Sequence, residues 1–145
     1  MPCVESLNSL IAVLLLSGCV PGNNADFTAV LGDRYQLFQW SAHHVCITLS
    51  DNLEDEHWIP PKVIRCNFDE NFIIAQQQLL KRKYPNDPNR SVEIPDPGKF
   101  QYWIIVKAAQ QRHGPFTAEE FEVQRKALGV PESLELLSKD SFRSR

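Results

Sequence analysis

The chain has 145 residues, of which 43% are hydrophobic and 23% are charged, a composition typical of one globular domain and unlike that of a disordered protein. Its formal net charge at pH 7 is −3. Because a nucleic-acid-binding protein needs a basic face to replace the counterions around phosphates, this near-balance of charge argues against nucleic acid as a partner.

A short apolar run near the N-terminus is typical of an export signal. Residues 10–16 read LIAVLLL, and small residues follow them. A spanning helix needs about 20 apolar residues, so this segment is too short to cross a bilayer and stay there. Residues 1–9 depart from the usual pattern, since they contain Glu5 and neither Lys nor Arg. We therefore predict a signal peptide over residues 1–18, with a buried N-terminal core helix as the alternative.

The four residues Leu16-Ser17-Gly18-Cys19 resemble the lipobox of bacterial lipoproteins. This resemblance implies cleavage before Cys19, lipidation of its thiol and attachment to a membrane through the lipid. The mature form would have 17 acidic and 15 basic residues. Val20 rather than Asp follows the cysteine, which implies the periplasmic face of the outer membrane if the host is Gram-negative. Residues 19–33, which include Pro-Gly-Asn-Asn, are predicted to form a tether.

A single domain is predicted over residues 34–138, followed by a polar tail at 139–145. Alternating or aromatic and β-branched residues predict five strands, at Tyr35–Trp40, His44–Ser50, Lys62–Phe68, Phe72–Gln77 and Phe100–Lys107. Asp69-Glu70-Asn71 predicts a tight turn between the third and fourth of them. Residues 75–83 fit either a helix or a strand, and the four prolines within 85–98 predict an extended surface loop.

The strongest local signals delimit a helix over residues 118–128. Thr117 and Glu120 have the spacing of a capping box, and Phe116 and Phe121 that of a hydrophobic staple. Gly129 predicts a left-handed C-terminal residue, and Pro131 prevents the helix from continuing. The predicted fold is therefore α+β, an antiparallel meander of about five strands with a C-terminal helix packed on one face.

The order of these segments resembles a family of uncharacterised bacterial proteins of about 140 residues, many with lipoprotein signals. The resemblance covers residues 32–131 and is carried by GDRYQLF, HHVCITLS, IPPKVIRCNFDENFIIAQQ, QYWIIV and GPFTAEEFEVQRKALGVP. It implies an antiparallel sheet with a packed C-terminal helix. Because the family has no assigned activity, it implies no reaction.

The cysteines and histidines suggest two kinds of site. Cys46 and Cys66 are predicted either to form a disulfide, as exported proteins allow, or to remain free thiols. A metal site could use His43, His44, Cys46, His57 and Cys66, but the sequence has no CxxC or HxxxH spacing. Exposed histidines at strand edges are the favoured interpretation, so no metal or cofactor is predicted.

No catalytic motif is found, and an acidic loop is the most suggestive surface feature. The sequence has no GxSxG, HExxH or Gly-rich phosphate loop, so no catalytic residue is predicted. Residues 51–58 combine Trp58, a potential anchor, with four carboxylates: Asp51, Glu54, Asp55 and Glu56. This loop is predicted either to bind a basic partner or to be a solvated loop that favours solubility.

Three functional hypotheses follow. The first is a membrane-anchored, non-catalytic binding module of the cell envelope, such as an immunity or inhibitor protein for a periplasmic toxin. The second is a structural or assembly lipoprotein of the envelope. The third is an enzyme whose site has no recognisable motif.

Overall fold

The computed structural model describes residues 26–51 and 58–143. These residues form eight strands, one α-helix and one short 3-10 helix: β1 (Phe27–Val30), β2 (Tyr35–Gln39), β3 (Val45–Leu49), β4 (Val63–Phe68), β5 (Phe72–Arg82), β6 (Glu93–Val106), β7 (Gln111–Phe116), α1 (Ala118–Leu128), β8 (Leu137–Ser138) and the 3-10 helix (Lys139–Phe142). The predicted signal peptide, Cys19 and the first part of the tether lie outside the described residues. In the described ranges, no helix is long and apolar enough to cross a membrane.

The strands form two antiparallel sheets. One sheet has the order β1-β2-β3, and the other has the order β7-β6-β5-β4-β8. The predicted fold class is confirmed, because α1 packs on the larger sheet. The strands are distributed over two sheets, since the larger sheet has apolar side chains on both of its faces and each face needs a cover.

The alternation of side chains along β5 and β6 produces two cores. We call the one between the two sheets the main core and the one between the larger sheet and α1 the second core. On β6, Trp103 and Ile105 face the three-stranded sheet, whereas Ile104 faces α1. On β5, Ile73 joins Trp103 and Ile74 joins Ile104. Successive side chains of a strand point to opposite faces, so the five-stranded sheet is the middle layer between the smaller sheet and the helix.

The predicted helix bounds are confirmed. The Thr117 hydroxyl accepts from the Glu120 amide at 3.2 Å, and the Glu120 carboxylate accepts from the Thr117 amide at 2.8 Å. Gly129 adopts the left-handed conformation with φ of 76°. Phe121 is 2% exposed and stacks on Tyr102 with ring centroids 5.0 Å apart, and Phe116 packs in the same cluster.

The turn and the two uncertain segments are now assigned. The turn at Asp69-Glu70-Asn71 is confirmed, since Asp69 Oδ1 accepts from the amides of Asn71 and Phe72. Residues 75–82 belong to β5, so the strand alternative holds for them. The prediction of a loop over all of 85–98 is wrong, because β6 begins at Glu93. Pairing of Lys81 with Ile94 overrides the disfavour of proline for strands, which is weak where no third strand needs its amide.

Ordered elements extend beyond both predicted bounds of the domain. Phe27–Val30, predicted within the tether, forms β1 and pairs with β2. Lys139–Phe142, predicted within a polar tail, forms the 3-10 helix and buries Phe142 in the main core. Phe27 and Phe142 are apolar residues in polar sequence surroundings, and they pack here against the main core. Sequence periodicity does not predict such long-range contacts.

Candidate functional site

A two-stranded arm extends from the larger sheet. We define the arm as residues 79–99, which include the outer ends of β5 and β6 and their connection. β5 pairs with β4 up to Gln77, and β6 pairs with β7 only from Tyr102 onwards. Within the arm, the two strands therefore form ladder hydrogen bonds with each other alone, in pairs such as Lys81 with Ile94.

Side-chain contacts hold the arm in one arrangement. The Arg90 guanidinium lies 4.0 Å from the centroid of the Tyr84 ring. Arg82 donates to the carbonyl oxygens of Asp87 at 3.0 Å and of Arg90 at 3.3 Å. The arm contributes no residue to either core. Because an isolated hairpin is only marginally stable in water, the arm depends on these side-chain contacts for its order.

The arm presents a mixed apolar and basic surface. Val92 is 49% exposed, and Phe100, immediately after the arm, is 40% exposed. The arm contains five basic and three acidic residues: Lys81, Arg82, Lys83, Arg90 and Lys99 against Asp87, Glu93 and Asp96. A cavity of about 240 Å³ lies at its base, lined by Leu79 and Phe100 together with residues at the start of α1.

A second polar region lies at one end of the sandwich, where the smaller sheet meets the C-terminal segment. We call it the basic cluster; it comprises Gln39, His43, Lys62, Lys139, Asp140 and Arg143. The buried Gln39 side chain accepts through Oε1 from Lys139 Nζ at 3.2 Å and from Arg143 at 3.3 Å. Asp140 Oδ1 accepts from the same two cations at 2.9 and 3.0 Å. These contacts lower the pKa of Asp140, chiefly through the hydrogen bond from Lys139.

Lys62 and His43 complete the basic cluster. Burial lowers the pKa of the Lys62 ammonium, and the charge of Lys139 lowers it further. Burial, followed by the charges of Lys62 and His44, lowers the pKa of His43, and a hydrogen bond with the backbone at Ala42 opposes that shift. Two buried nitrogen atoms of the cluster have no hydrogen-bond partner among the described residues: Nδ1 of His43 and Nε2 of Gln39.

A buried lysine lies at the opposite end of the sandwich. Lys107, 6% exposed, donates from Nζ to the carbonyl oxygens of Leu31 and Asp69, both at 2.7 Å. Its ammonium also lies 5.0 Å from the centroid of the Phe68 ring. Lys107 thereby joins the turn after β1 to the turn between β4 and β5, one in each sheet. It lines a cavity of about 270 Å³ together with Asp33, Arg34 and Tyr35.

Cys46 and Cys66 are both buried and free in the structure. Cys66 lies in the main core, and Cys46, which pairs with Phe38 across β2 and β3, is fully buried as well. The Thr48 side chain, on the same strand as Cys46, is buried as well. Burial raises the pKa of each thiol to about 12.

We expect neither of these thiols to react with iodoacetamide at pH 8 in the folded protein. The thiolate is the nucleophile, and a thiol with a pKa of about 12 is almost entirely protonated at that pH. Peptide mapping by mass spectrometry would find both cysteines unmodified under native conditions and both modified in guanidinium chloride. Modification of Cys66 in the native protein would contradict its placement in the core.

The candidate metal ligands do not come together in the described part of the chain. His44 stacks on Trp40 and contacts the Ser41 hydroxyl through Nδ1 at 2.8 Å. No group of three His, Cys, Asp or Glu side chains able to hold a metal ion is found among residues 26–51 and 58–143. His57 lies outside those ranges.

Only the two ends of the predicted acidic loop are described. Asp51 forms an ion pair with Arg34. Trp58 packs edge-on against Tyr35 with ring centroids 5.3 Å apart and lies at the edge of the main core. The indole is therefore engaged inside the protein, whereas Glu54, Asp55 and Glu56 lie outside the described residues.

Sequence reasoning missed the arm, the basic cluster and Lys107. For Lys107 a signal existed, because this lysine directly follows the most apolar strand segment, where a side chain tends to be buried. For the basic cluster there was none, since Gln39, Lys62 and Lys139 are far apart in sequence and ordinary in local context. The KRK run at 81–83 was the available sign of the arm.

Comparisons with known proteins give a family and no function. No curated protein and no solved structure matches the chain. Residues 32–140, about three quarters of the chain, match a family described as "Protein of unknown function (DUF3997)". That range includes β2 to β8, α1 and all of the arm. The chain therefore belongs to the DUF3997 family of proteins of unknown function.

Proposed function

We propose that the protein is a lipid-anchored, non-catalytic binding module of the cell envelope that holds a protein partner through the arm. The partner class that fits best is a periplasmic protein neutralised by binding, as a toxin is by its immunity protein. The observation that carries the proposal is the arm, which is held by its own side-chain contacts, extends from the five-stranded sheet and contributes no residue to either core.

The arm has the properties of a prearranged interface. Ordering a flexible loop on binding costs conformational entropy. The contacts of Arg82 and Arg90 already order the arm in the unbound protein, so less entropy would be lost on binding. Exposed Val92 and Phe100 offer apolar contacts beside basic side chains, and the flanking backbone has unpaired edges. Since Trp58 is engaged with Tyr35, the arm is a better candidate interface than the acidic loop.

The proposed anchor is compatible with the position of the first strand. Phe27 lies eight positions after Cys19, and an extended chain spans at most about 3.5 Å per residue. A lipid on Cys19 would thus keep β1 within about 30 Å of the membrane surface. Two acyl chains or more would make that attachment stable.

The anchor is tested with a Cys19→Ala variant expressed in the host. We expect the wild-type protein to incorporate labelled palmitate and to sediment with membranes, and the variant to do neither. The proposed anchor is wrong if the two proteins label and fractionate alike.

Binding through the arm is tested by photo-crosslinking in intact cells. A photoreactive residue at Val92 is expected to give one discrete adduct, whereas the same residue at Val123, an exposed valine on α1, should give none. The adduct should be lost when Arg82 and Arg90 are both replaced with alanine, because those contacts order the arm. Equal adducts from both positions, or none from Val92, would refute the proposed interface.

A further inference from the structure

We infer that the basic cluster is a binding site for one oxyanion, the phosphate or carboxylate group of a ligand. The inference is independent of the arm, which lies on other strands. It rests on the convergence of cations and unused hydrogen-bonding groups at one end of the sandwich.

Three separate segments bring these groups together. Gln39 ends β2, and His43 lies in the connection to β3. Lys62 directly precedes β4, and its backbone exchanges hydrogen bonds with Gln78 at 2.8 and 3.3 Å. β4 pairs with β8 through Arg65 and Ser138, and this register places Lys139 beside the start of β4.

The basic cluster contains three cationic side chains and one carboxylate, so it has a net positive charge. Lys62, Lys139 and Arg143 are cations, and Asp140 is their one carboxylate among the described residues of the cluster. Asp140 is bound to Lys139 and Arg143, whereas the Lys62 ammonium forms no ion pair with any described residue. A half-buried ammonium beside another cation is unfavourable until an anion compensates it.

Unused donors indicate what the compensating group is. The buried Gln39 side chain, 1% exposed, has its Oε1 directed to two cations, which leaves Nε2 as a donor without an acceptor. The buried Nδ1 of His43 also has no partner among the described residues, and it is a second donor in the tautomer that carries the proton there. Leaving such groups unpaired is costly, and an oxyanion accepts several charge-assisted hydrogen bonds at once. A cation would be repelled, and a neutral group would leave the charge of Lys62 uncompensated.

The test titrates the full-length protein at pH 7 and low ionic strength with inorganic phosphate and, separately, with acetate. Sodium chloride at matched ionic strength is the reference. We expect saturable one-to-one binding of at least one anion by calorimetry, and a thermal unfolding midpoint that rises with its concentration. Binding of phosphate would identify the ligand group as a phosphate, and binding of acetate would identify it as a carboxylate.

Three variants make the test specific. Lys62→Met keeps the aliphatic stem, so it should weaken anion binding about tenfold or more and raise the unfolding midpoint in anion-free buffer. Asp140→Asn removes the competing carboxylate and should tighten binding. Lys126→Met, at an exposed position on α1, is the control and should leave binding unchanged.

A second measurement does not depend on variant folding. A bound anion beside His43 should raise the pKa of its imidazole in an NMR titration of the wild-type protein. The inference is overturned if neither anion binds saturably, if Lys62→Met binds as tightly as wild type, or if the imidazole titrates identically with and without the anion.

Discussion

Replacing Phe121 with alanine is expected to lower the free energy of unfolding by about 3–5 kcal/mol, because it empties the second core. Phe121 is the buried residue of α1, and its ring stacks on Tyr102 of β6. The helix has few other apolar contacts with the sheet, so the cavity cannot be refilled from its own face. Denaturant titration would show a lower midpoint with an unchanged slope.

Val123 supplies the matched control for this experiment. It belongs to the same helix but is 63% exposed, so Val123→Ala should change the free energy of unfolding by less than about 0.5 kcal/mol. A similar loss in both variants would mean that the helix is held by its intrinsic propensity and not by the Phe121 contact.

Replacing Lys107 with methionine is expected to lower the free energy of unfolding by about 2–3 kcal/mol. Methionine fills the space of the lysine stem but leaves the carbonyl oxygens of Leu31 and Asp69 without their donor, and each unpaired buried group costs about 1–3 kcal/mol. Relief of the buried charge offsets part of this loss. Lys126→Met is the control, since Lys126 is exposed.

The Lys107 variant also makes a prediction about pH. Burial lowers the pKa of Lys107 in the folded protein below its usual value of 10.5. Between these two pKa values the unfolded chain binds more protons than the folded chain, so stability rises with pH in that window. We therefore expect wild type to gain stability relative to Lys107→Met as pH increases towards 10.5. A constant difference between the two proteins would show that Lys107 titrates normally.

Lys107 and Lys62 differ in whether the protein itself supplies acceptors for the ammonium group. Lys107 is tied by two carbonyl oxygens at 2.7 Å, so it is satisfied inside the fold and stabilises the junction of the two sheets. Lys62 has no such partner among the described residues, and the charge of Lys139 disfavours its ammonium form. Opposite signs are therefore expected for their methionine variants: a loss of stability at Lys107 and a gain at Lys62.

Local contacts explain which elements were predictable. The helix over 118–128 was determined by the sequence alone, since Thr117, Glu120 and Gly129 act on residues within one turn of themselves. The hairpin turn at Asp69 was predictable for the same reason, because its side chain bonds to amides two and three residues ahead. Alternation predicted the central strands, and so the fold class.

Tertiary structure alone decided the elements that depend on distant partners. Residues 75–82 have helix-forming side chains, yet they form a strand because β4 pairs with β5 up to Gln77 and β6 pairs with it out to Arg82. Phe27–Val30 and Phe142 enter the fold because the main core accepts them. The basic cluster unites residues about 100 positions apart, as between Gln39 and Lys139. Sequence determined what short-range hydrogen bonds and periodicity encode, and only the packed chain decided which charges meet, because that depends on long-range contacts.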